Sequence, residues 1–496
     1  LVTKYWTVDD KNHQSVSLLE PTILINRLIW MGVGLATLVA GYFRFDFSER
    51  KQGSKKSAKV VEKEDEVYGL KQLGALPRVA PGKGFGTRLS QLRSQFSTDF
   101  KGIVKSVAFI ILAVLGLLNC IPNFKYATEG YGTSNLPVTY TMVDMIRGSF
   151  YLYLMAILTY FTGALVWKER TAKVNEIYDA LPTRNWTGYV AKYFTVLTTV
   201  FLLVVIAIIA AVAAQSLQGY DRFELGVYVR ELLVFDMLDF AFLIALFMFI
   251  HVLSPNMYLG FFLCVIVVAV NSFVWEVMDI NSNMVKLGGI PGYTVSDMYG
   301  YAPYVRGLNW FYGYWMLFAG LLAVAAISLW PRGKESGVEQ RLSLAAQEWK
   351  TYRLLGLGVF VVWLCTAGFT FYNTKILNPT VGGDEMEARM IRYEKDYKRF
   401  EGFAQPRIYD TKYDIRIFPE ARRYEADGQL WVRNLHNRPL DSLLVQIPTK
   451  GDFTFDNQRL QLLLNDSALY LRFYKIQPAL ASGDSMLLTF KTVYAA

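Results

Sequence analysis

Eight long apolar runs dominate this sequence, and they constrain its fold more than any other feature. A helix needs about 20 apolar residues to cross a bilayer, and each run is close to or above that length. Charged residues make up only 19% of the 496 residues and cluster between the runs, which excludes a single soluble domain, a disordered chain and a fibrous protein. The predicted spans are 22–43, 104–120, 146–167, 188–214, 231–251, 258–279, 309–330 and 354–373.

The basic residues predict the orientation of these spans. Two alternating sets of connecting segments carry 22 and 7 Lys and Arg residues, respectively. The basic set consists of 44–103, 168–187, 252–257 and 331–353. The other set consists of 1–21, 121–145, 215–230 and 280–308. Because Lys and Arg are enriched in cytoplasmic loops, the basic set is predicted to face the cytoplasm, and the residues after 373 to lie outside. The net charge of +9 then reflects topology rather than a nucleic-acid site.

Two segments between the first and second spans differ in character. Residues 49–66 are charged and low in aromatics, which predicts a flexible tether. In 87–103, apolar residues recur at helical spacing, which predicts an amphipathic helix on the membrane surface. The stripe consists of Leu89, Leu92, Phe96, Phe100 and Ile103. A simple extension of the following span is the alternative.

The last quarter of the chain leaves the helical pattern. Residues 385–400 are charged and periodic, which predicts a helix just outside the last span. From about residue 407, short alternating segments separated by turn residues predict an all-β extracytoplasmic domain. Its final strand, near 486–494, is predicted to have no downstream partner. The fold class is therefore a polytopic α-helical membrane protein with a C-terminal β domain.

Motifs for nucleotide and metal binding are missing. The sequence contains no G-x-x-x-x-G-K-[ST] phosphate loop and no H-E-x-x-H. Its three histidines, His13, His251 and His436, are too far apart to suggest a zinc site. The chain itself is therefore predicted to bind neither ATP nor zinc. The three cysteines all belong to apolar runs, which excludes a disulfide scaffold.

The most informative segment is VWKERTAKVNEIYDALPTRNWTGYVAKYF, at 166–194. Glu169 and Arg170 follow one span, a polar helix is predicted for about 171–181, Pro182 ends it, and Lys192 begins the next span. A short helix held between two spans transmits a push from the cytoplasm to both of them. An ordinary connecting loop is the alternative.

This segment resembles the coupling-helix signature of ABC-exporter permeases of the drug- and polysaccharide-export type. That signature has an acidic residue and an arginine after the second span, then E-x-x-x-A-L-P, then a lysine. The matching residues are Glu169, Arg170, Glu176, Ala180, Leu181, Pro182 and Lys192. HVLSPNMYLG, at 251–260, is similar to the turn between the fourth and fifth spans of such permeases. Residues 87–330 then correspond to one complete permease half with a surface helix and six spans.

The flanks resemble two other parts of one fused protein. The segments 5–12 and 24–30 are similar to the tail of a preceding permease half. The segments 393–400, 413–434 and 480–490 are similar to the entry and first β domain of an aminopeptidase N-like gluzincin. The implied division is 1–43 (end of a preceding half), 44–86 (linker), 87–330 (permease half), 331–373 (loop and extra span), 374–406 (helical stalk) and 407–496 (β domain).

The resemblance implies the membrane permease of an ATP-driven transporter in a bacterial cytoplasmic membrane, working by alternating access. Its partners would be a cytoplasmic ABC ATPase, which binds the ATP, and a preceding permease half or a second copy. Glu169 and Arg170 would orient the coupling helix, and Ile177, Ala180 and Leu181 would contact the ATPase. The alternatives are a membrane anchor for an extracytoplasmic metalloaminopeptidase, whose downstream domain would hold zinc, and a scaffold subunit of an envelope complex.

Polar residues inside spans are candidates for a transport path. Asp236 and Asp239 are three residues apart and share a helix face near the predicted outer surface. The alternative, that they extend to outer water, applies equally to Glu276 and Asp279. His251 is interpreted as a capping or interface residue at a cytoplasmic helix end.

Overall fold

The computed structural model describes residues 21–44, 84–126, 129–130, 133–181, 183–278, 280–332, 338–378, 382–447 and 451–495. The chain divides into two compact units between Pro81 and Gly82. The first unit contributes helix α1 to the description. The second contains the other helices and all the strands.

Eight helical stretches of the described residues are long and apolar enough to cross a membrane, as the sequence predicted, and they indicate a membrane protein. In chain order the helices are α1 (Pro21–Arg44), α2 (Phe85–Val104), α3 (Val107–Tyr126), α4 (Thr139–Val166), α5 (Lys168–Thr171), α6 (Asn175–Asp179), α7 (Asn185–Leu217), α8 (Leu225–Tyr228), α9 (Asp236–Leu253), α10 (Met257–Val277), α11 (Ala302–Ser328), α12 (Val338–Phe371) and α13 (Gly383–Tyr397). Residues Val229–Phe235 form a π-helical turn that joins α8 to α9, and a second such turn, Tyr372–Leu377, extends α12.

Several spans begin earlier than their apolar runs. Helix α4 begins at Thr139 rather than 146, and the span containing α9 begins at Leu225 rather than 231. Charged residues lie at both predicted boundaries, Arg147 on α4 and Glu231 in the π-helical turn, and these two side chains pair with each other. A hydropathy boundary stops at an isolated charge, whereas a helix continues through a charge that is paired.

Helices α4, α7 and α9 supply most of the buried core of the helical region. Phe150, Leu154 and Ile157 on α4 are fully buried, as are Val200 on α7 and Phe247 on α9. The α4 residues recur at spacings of four and three, so they form one stripe. Since lipid is as apolar as a leucine side chain, close packing rather than exclusion of water holds such helices together.

The C-terminal region contains two antiparallel sheets. A minor two-stranded pair, β1 (Glu129–Gly130) and β2 (Thr133–Ser134), lies between α3 and α4. The C-terminal strands are β3 (Arg407–Phe418), β4 (Arg423–Arg433), β5 (Leu440–Gln446), β6 (Asp452–Phe455), β7 (Leu460–Asp466), β8 (Leu471–Leu480) and β9 (Ser485–Ala495). One sheet has the order β3-β4-β9-β6 and the other β5-β8-β7. Val432, Ile476, Leu480 and Leu488 form the buried core of this region.

The open sheet edge that was predicted for the last strand, from its lack of a downstream partner, is wrong. Strand β9 pairs with β4 on one side and with β6 on the other, so it is an inner strand of its sheet. The edge strands of this sheet are β3 and β6, and all twelve residues of β3 are exposed. Alternation along a sequence identifies strands, but it does not give their order in a sheet, which is why the wrong edge was predicted.

A buried carboxylate joins α13 to the strands. Asp466, at the end of β7, accepts hydrogen bonds from Arg392 at 2.8 Å and from the Tyr397 hydroxyl at 3.0 Å. The backbone amides of Ala468 and Leu469 also donate to it, both at 3.1 Å. Burial alone would raise the pKa of Asp466, but the amide of Leu469, the Tyr397 hydroxyl and Arg392 together lower it below the usual value.

This contact predicts a pH-dependent stability. Because the folded-state pKa of Asp466 is depressed, the ionised carboxylate adds to the free energy of unfolding at pH values above its unfolded pKa of about 3.9. This contribution is lost as the pH falls through the folded-state pKa. Asp466→Asn should therefore destabilise the chain at pH 7 by about 1–3 kcal/mol, and this deficit should shrink below pH 4. The measurement is thermal unfolding of the full chain, once at pH 7 and once below pH 4. Asp456→Asn, at an exposed aspartate, is the control and should change little.

Candidate coupling segment and intramembrane charge cluster

The residues between α4 and α7, 168–181, form two short helices rather than the single helix predicted for 171–181. Helix α5 ends at Thr171 and α6 begins at Asn175. Lys173 between them has a φ of 56°, a left-handed conformation that a right-handed helix excludes. The chain therefore turns at this point. Pro182, the predicted terminator, lies outside the described residues. We call 168–181 the coupling segment.

An ion pair fixes the coupling segment to α7. The ammonium group of Lys192 donates to both carboxylate oxygens of Glu169, at 2.7 and 2.8 Å, and to the backbone oxygen of Leu165 at 2.5 Å. Lys192 is 1% exposed and lies 5.9 Å from the Trp330 ring centroid. Glu169 and Lys192, two separate positions of the predicted signature, are thus brought together, and their ion pair joins the end of α4 to α7.

A second set of contacts fixes the coupling segment to α2, the helix predicted to lie on the membrane surface. Lys168 pairs with Asp99 at 2.5 Å, and the Tyr178 hydroxyl donates to Gln95 at 3.1 Å. Burial, together with the nearby carboxylates of Glu169 and Asp99, raises the pKa of Tyr178 to about 12. Tyr178 therefore stays neutral and remains a hydrogen-bond donor at physiological pH. The polar side of α2 faces the segment, which the predicted apolar stripe did not reveal.

The apolar residues of the coupling segment point away from these anchors. Ile177 is 74% exposed and Leu181 is 50% exposed, and Val174 belongs to the same exposed stripe. Ala180 and Glu176 are also exposed, whereas Arg170 is half-buried, with its guanidinium 5.1 Å from the Trp167 ring centroid. The arrangement combines an anchored polar side with a free apolar side. Exposed apolar residues rimmed by polar ones are typical of an interaction surface.

A polar groove of about 590 Å³ runs between α2 and the coupling segment. Asp99, which lines it, is 3% exposed, yet one of its carboxylate oxygens has no hydrogen-bond partner among the described residues. The amide nitrogen of Gln95 is likewise buried without a partner in the described part of the chain. Buried polar groups are normally hydrogen-bonded, so this groove offers one acceptor and one donor to another molecule.

A charge cluster lies in the helical region, toward the N-terminal end of α4. Arg147 donates to Asp236 at 2.8 and 3.1 Å and to Glu231 at 2.7 Å. Glu231 and Asp236 are 5% and 6% exposed. The alternative that Asp236 extends to outer water is therefore wrong, because an arginine from α4 binds it inside the bundle. Burial of a carboxylate is tolerated when a charge is paired and hydrogen-bonded.

Tyrosines complete this cluster. The hydroxyls of Tyr293 and Tyr301 donate to Glu231 at 2.8 and 2.5 Å, and the Tyr151 hydroxyl donates to Asp236. Tyr293 and Tyr301 belong to the segment 280–301, so the cluster ties that segment to the helices. Burial, and the hydrogen bonds to Glu231, raise the pKa of both Tyr293 and Tyr301 above the usual value for tyrosine.

The π-helical turn explains why Glu231 and Asp236 reach one arginine. In an α-helix, residues five apart point to different sides, since each residue turns by about 100°. A π-helix closes its hydrogen bonds between residues five apart and so brings such residues to one side. Because helical spacing does not place Glu231 and Asp236 on one side, sequence reasoning overlooked Glu231 and the arginine that both residues bind. The available signal was a single basic residue, Arg147, inside an otherwise apolar run.

Asp239 behaves differently from Asp236. It makes no hydrogen bond or ion pair with any residue that the structure describes, and it lines a separate cavity of about 170 Å³. The two aspartates share a helix, but they do not share a site. Of the other predicted polar positions, Glu276 is exposed and Asp279 lies outside the described residues.

His251 is a packing residue rather than a cap. It is 1% exposed, and neither ring nitrogen has a hydrogen-bond partner among the described residues. Its ring is wedged between two glycines: a Cβ added at Gly163 or at Gly260 would lie 2.6 or 2.2 Å from it. The two glycines therefore allow α4, α9 and α10 to approach one another closely around the imidazole.

Comparisons of the chain with protein-family models, with curated proteins and with solved structures found no match. Within the described ranges, no three His, Cys, Asp or Glu side chains are grouped so that they could hold a metal ion.

Proposed function

We propose that this chain is the membrane permease of an ATP-driven transporter, and that its coupling segment docks on a separate cytoplasmic ABC ATPase. The observation that carries the proposal is the two-sided character of the coupling segment. One side is fixed by ion pairs to the helical bundle, and the other exposes Val174, Ile177 and Leu181. The resemblance of Glu169, Arg170 and the following residues to coupling helices supports the same function.

Transmission of force requires a rigid connection, because a partner shifts an equilibrium only through contacts that differ between the two states. The Glu169–Lys192 pair connects the segment to α7, and the chain itself connects it to α4. The Lys168–Asp99 pair connects it to α2. A displacement of the coupling segment would thus move three helices together, which is the input that alternating access needs.

The proposed orientation places the coupling segment on the cytoplasmic side of the membrane and the C-terminal β strands on the opposite side. The support is the excess of Lys and Arg in the segments on the coupling side. We infer a bacterial cytoplasmic membrane from the resemblance to bacterial fused permeases. Helices α10 and α12 expose most of their apolar residues, which leaves room for lipid and for a preceding permease half or a second copy.

The test introduces a negative charge on the exposed apolar side of the coupling segment. Burying a leucine contributes roughly 1.5–3 kcal/mol, so Leu181→Asp should weaken binding of the ATPase about tenfold or more. The full chain is purified from membranes, and an ABC ATPase in the complex is identified by mass spectrometry. The affinity of this ATPase and its rate of ATP hydrolysis are then measured in nanodiscs with the unchanged chain and with Leu181→Asp. Both should fall with Leu181→Asp, while the melting temperature of the chain stays the same.

Leu463→Asp is the matched control. Leu463 is 52% exposed, close to the 50% of Leu181, but it belongs to strand β7. It should leave both ATPase binding and hydrolysis unchanged. Equal effects of the two variants, or no effect of Leu181→Asp, would refute the coupling assignment.

A membrane anchor for an extracytoplasmic metalloaminopeptidase is the second candidate. The exposed strand β3 favours it, since Tyr413, Ile415 and Ile417 are each at least half exposed and offer a surface for a further domain. Any zinc would belong to that further domain. Peptidase activity of a longer form that survives Leu181→Asp, with no ATPase in the purified complex, would favour this candidate.

A further inference from the structure

A cavity among α4, α9, α10 and the segment 280–301 contains the carboxylate of Asp239. Its volume is about 170 Å³. The remaining lining is mostly apolar and includes Leu243, Leu246 and Val268, and its polar side chains are those of Asn271 and Ser272. Since an apolar cavity of about 150 Å³ holds a benzene molecule, this cavity has room for a small ring or a branched alkyl group beside the carboxylate.

The polar side chains of the cavity do not pair with Asp239. The Asn271 side chain bonds to both the backbone nitrogen and oxygen of Leu287, at 2.9 and 3.1 Å, and accepts from Trp275 at 2.8 Å. The Ser272 hydroxyl donates to a backbone oxygen of its own helix at 2.9 Å. Asn271 thereby joins α10 to the segment 280–301, whereas Ser272 bonds only within α10.

The arginine that pairs with Asp236 does not pair with Asp239. Arg147 donates its hydrogen bonds to Asp236, Glu231 and Tyr293. Asp239 thus lines the cavity without a hydrogen bond or an ion pair to any residue that the structure describes. An unpaired carboxylate within a span is costly and marks a functional site by default.

We propose that this cavity binds a primary amine carrying an apolar group of about the size of a benzene ring. The ammonium group pairs with Asp239, and the apolar group fills the space between Leu243, Leu246 and Val268. This inference rests on the proposed transport function and gives the chemical class of the substrate. A free aromatic or alkyl amine and the first residue of a peptide share this chemistry.

Calorimetry on the full chain in nanodiscs, without any ATPase, tests the proposal. The probes are 2-phenylethylamine, the neutral 2-phenylethanol, and the dipeptide phenylalanylglycine. The amine should bind about tenfold or more tightly than the alcohol, and Asp239→Asn should remove that preference. Glu276→Gln, at an exposed carboxylate outside the cavity, should leave binding unchanged. Val268→Phe fills the cavity while keeping the carboxylate, and it should abolish binding of every probe.

The two amine probes distinguish the source of the ligand, because binding of the dipeptide alone identifies a peptide and binding of phenylethylamine alone identifies a free amine. The proposal would be overturned if neither amine probe bound more tightly than the alcohol, or if Asp239→Asn left the affinity of the bound amine unchanged. The absence of binding by all three probes would also overturn it. If no probe binds but Leu181→Asp still uncouples the ATPase, the amine site is refuted and the transporter function is not. If the amine binds but Leu181→Asp has no effect on the ATPase, the transporter function is refuted and the amine site is not.

Discussion

Arg147→Met should destabilise the helical region by about 3–5 kcal/mol, because it leaves two buried carboxylates without a positive charge. Arg147 is the cation that bonds to both Glu231 and Asp236, which are 5% and 6% exposed. Thermal unfolding of the full chain in detergent is the measurement. Arg147→Lys should also destabilise it, since a lysine lacks the planar fork that reaches two carboxylates at once.

A compensating variant separates charge from packing. If the loss comes from unpaired charge, Arg147→Met combined with Glu231→Gln and Asp236→Asn should recover most of the stability. Arg222→Met, at an exposed arginine, is the control and should have little effect. A triple variant as unstable as Arg147→Met would show instead that the shape of the arginine holds the cluster.

Lys192→Met should uncouple ATP hydrolysis from the membrane helices while the ATPase remains bound. The variant removes the ion pair that connects the coupling segment to α7 but leaves Ile177 and Leu181 in place. Because Lys192 is 1% exposed and its partner Glu169 is largely buried, the loss of stability should also be about 3–5 kcal/mol. The measurements are copurification of the ATPase, its stimulated rate in nanodiscs, and thermal unfolding.

Two further variants separate the loss of stability from the loss of coupling. Glu169→Gln combined with Lys192→Met should recover stability, because no buried charge is left unpaired, but it should not recover stimulation. Lys173→Met removes an exposed lysine of the same segment and should alter neither property. Full stimulation in the Lys192→Met variant would show that the ion pair does not transmit the motion.

The position of each apolar run was readable from sequence because hydropathy is a local property. Eight runs predicted eight spans, and the described residues contain eight helices of suitable length. The charged pattern 385–400 predicted the helix now seen as α13, and alternation predicted β3 and β4. The strand order was not readable, since pairing of β9 with β4 and β6 joins residues far apart in sequence.

The sequence by itself determined the composition of the coupling segment, including Glu169, Lys192 and the apolar spacing of Ile177 and Leu181. It did not determine the turn at Lys173. Nor did it determine the anchoring of the segment to α2, because that depends on Asp99 and Gln95, which are more than sixty residues away. The separate roles of Asp236 and Asp239 also came only from tertiary structure. Whether a carboxylate in a span is paired depends on which side chain another helix brings to it, and Arg147 reaches only one of the two.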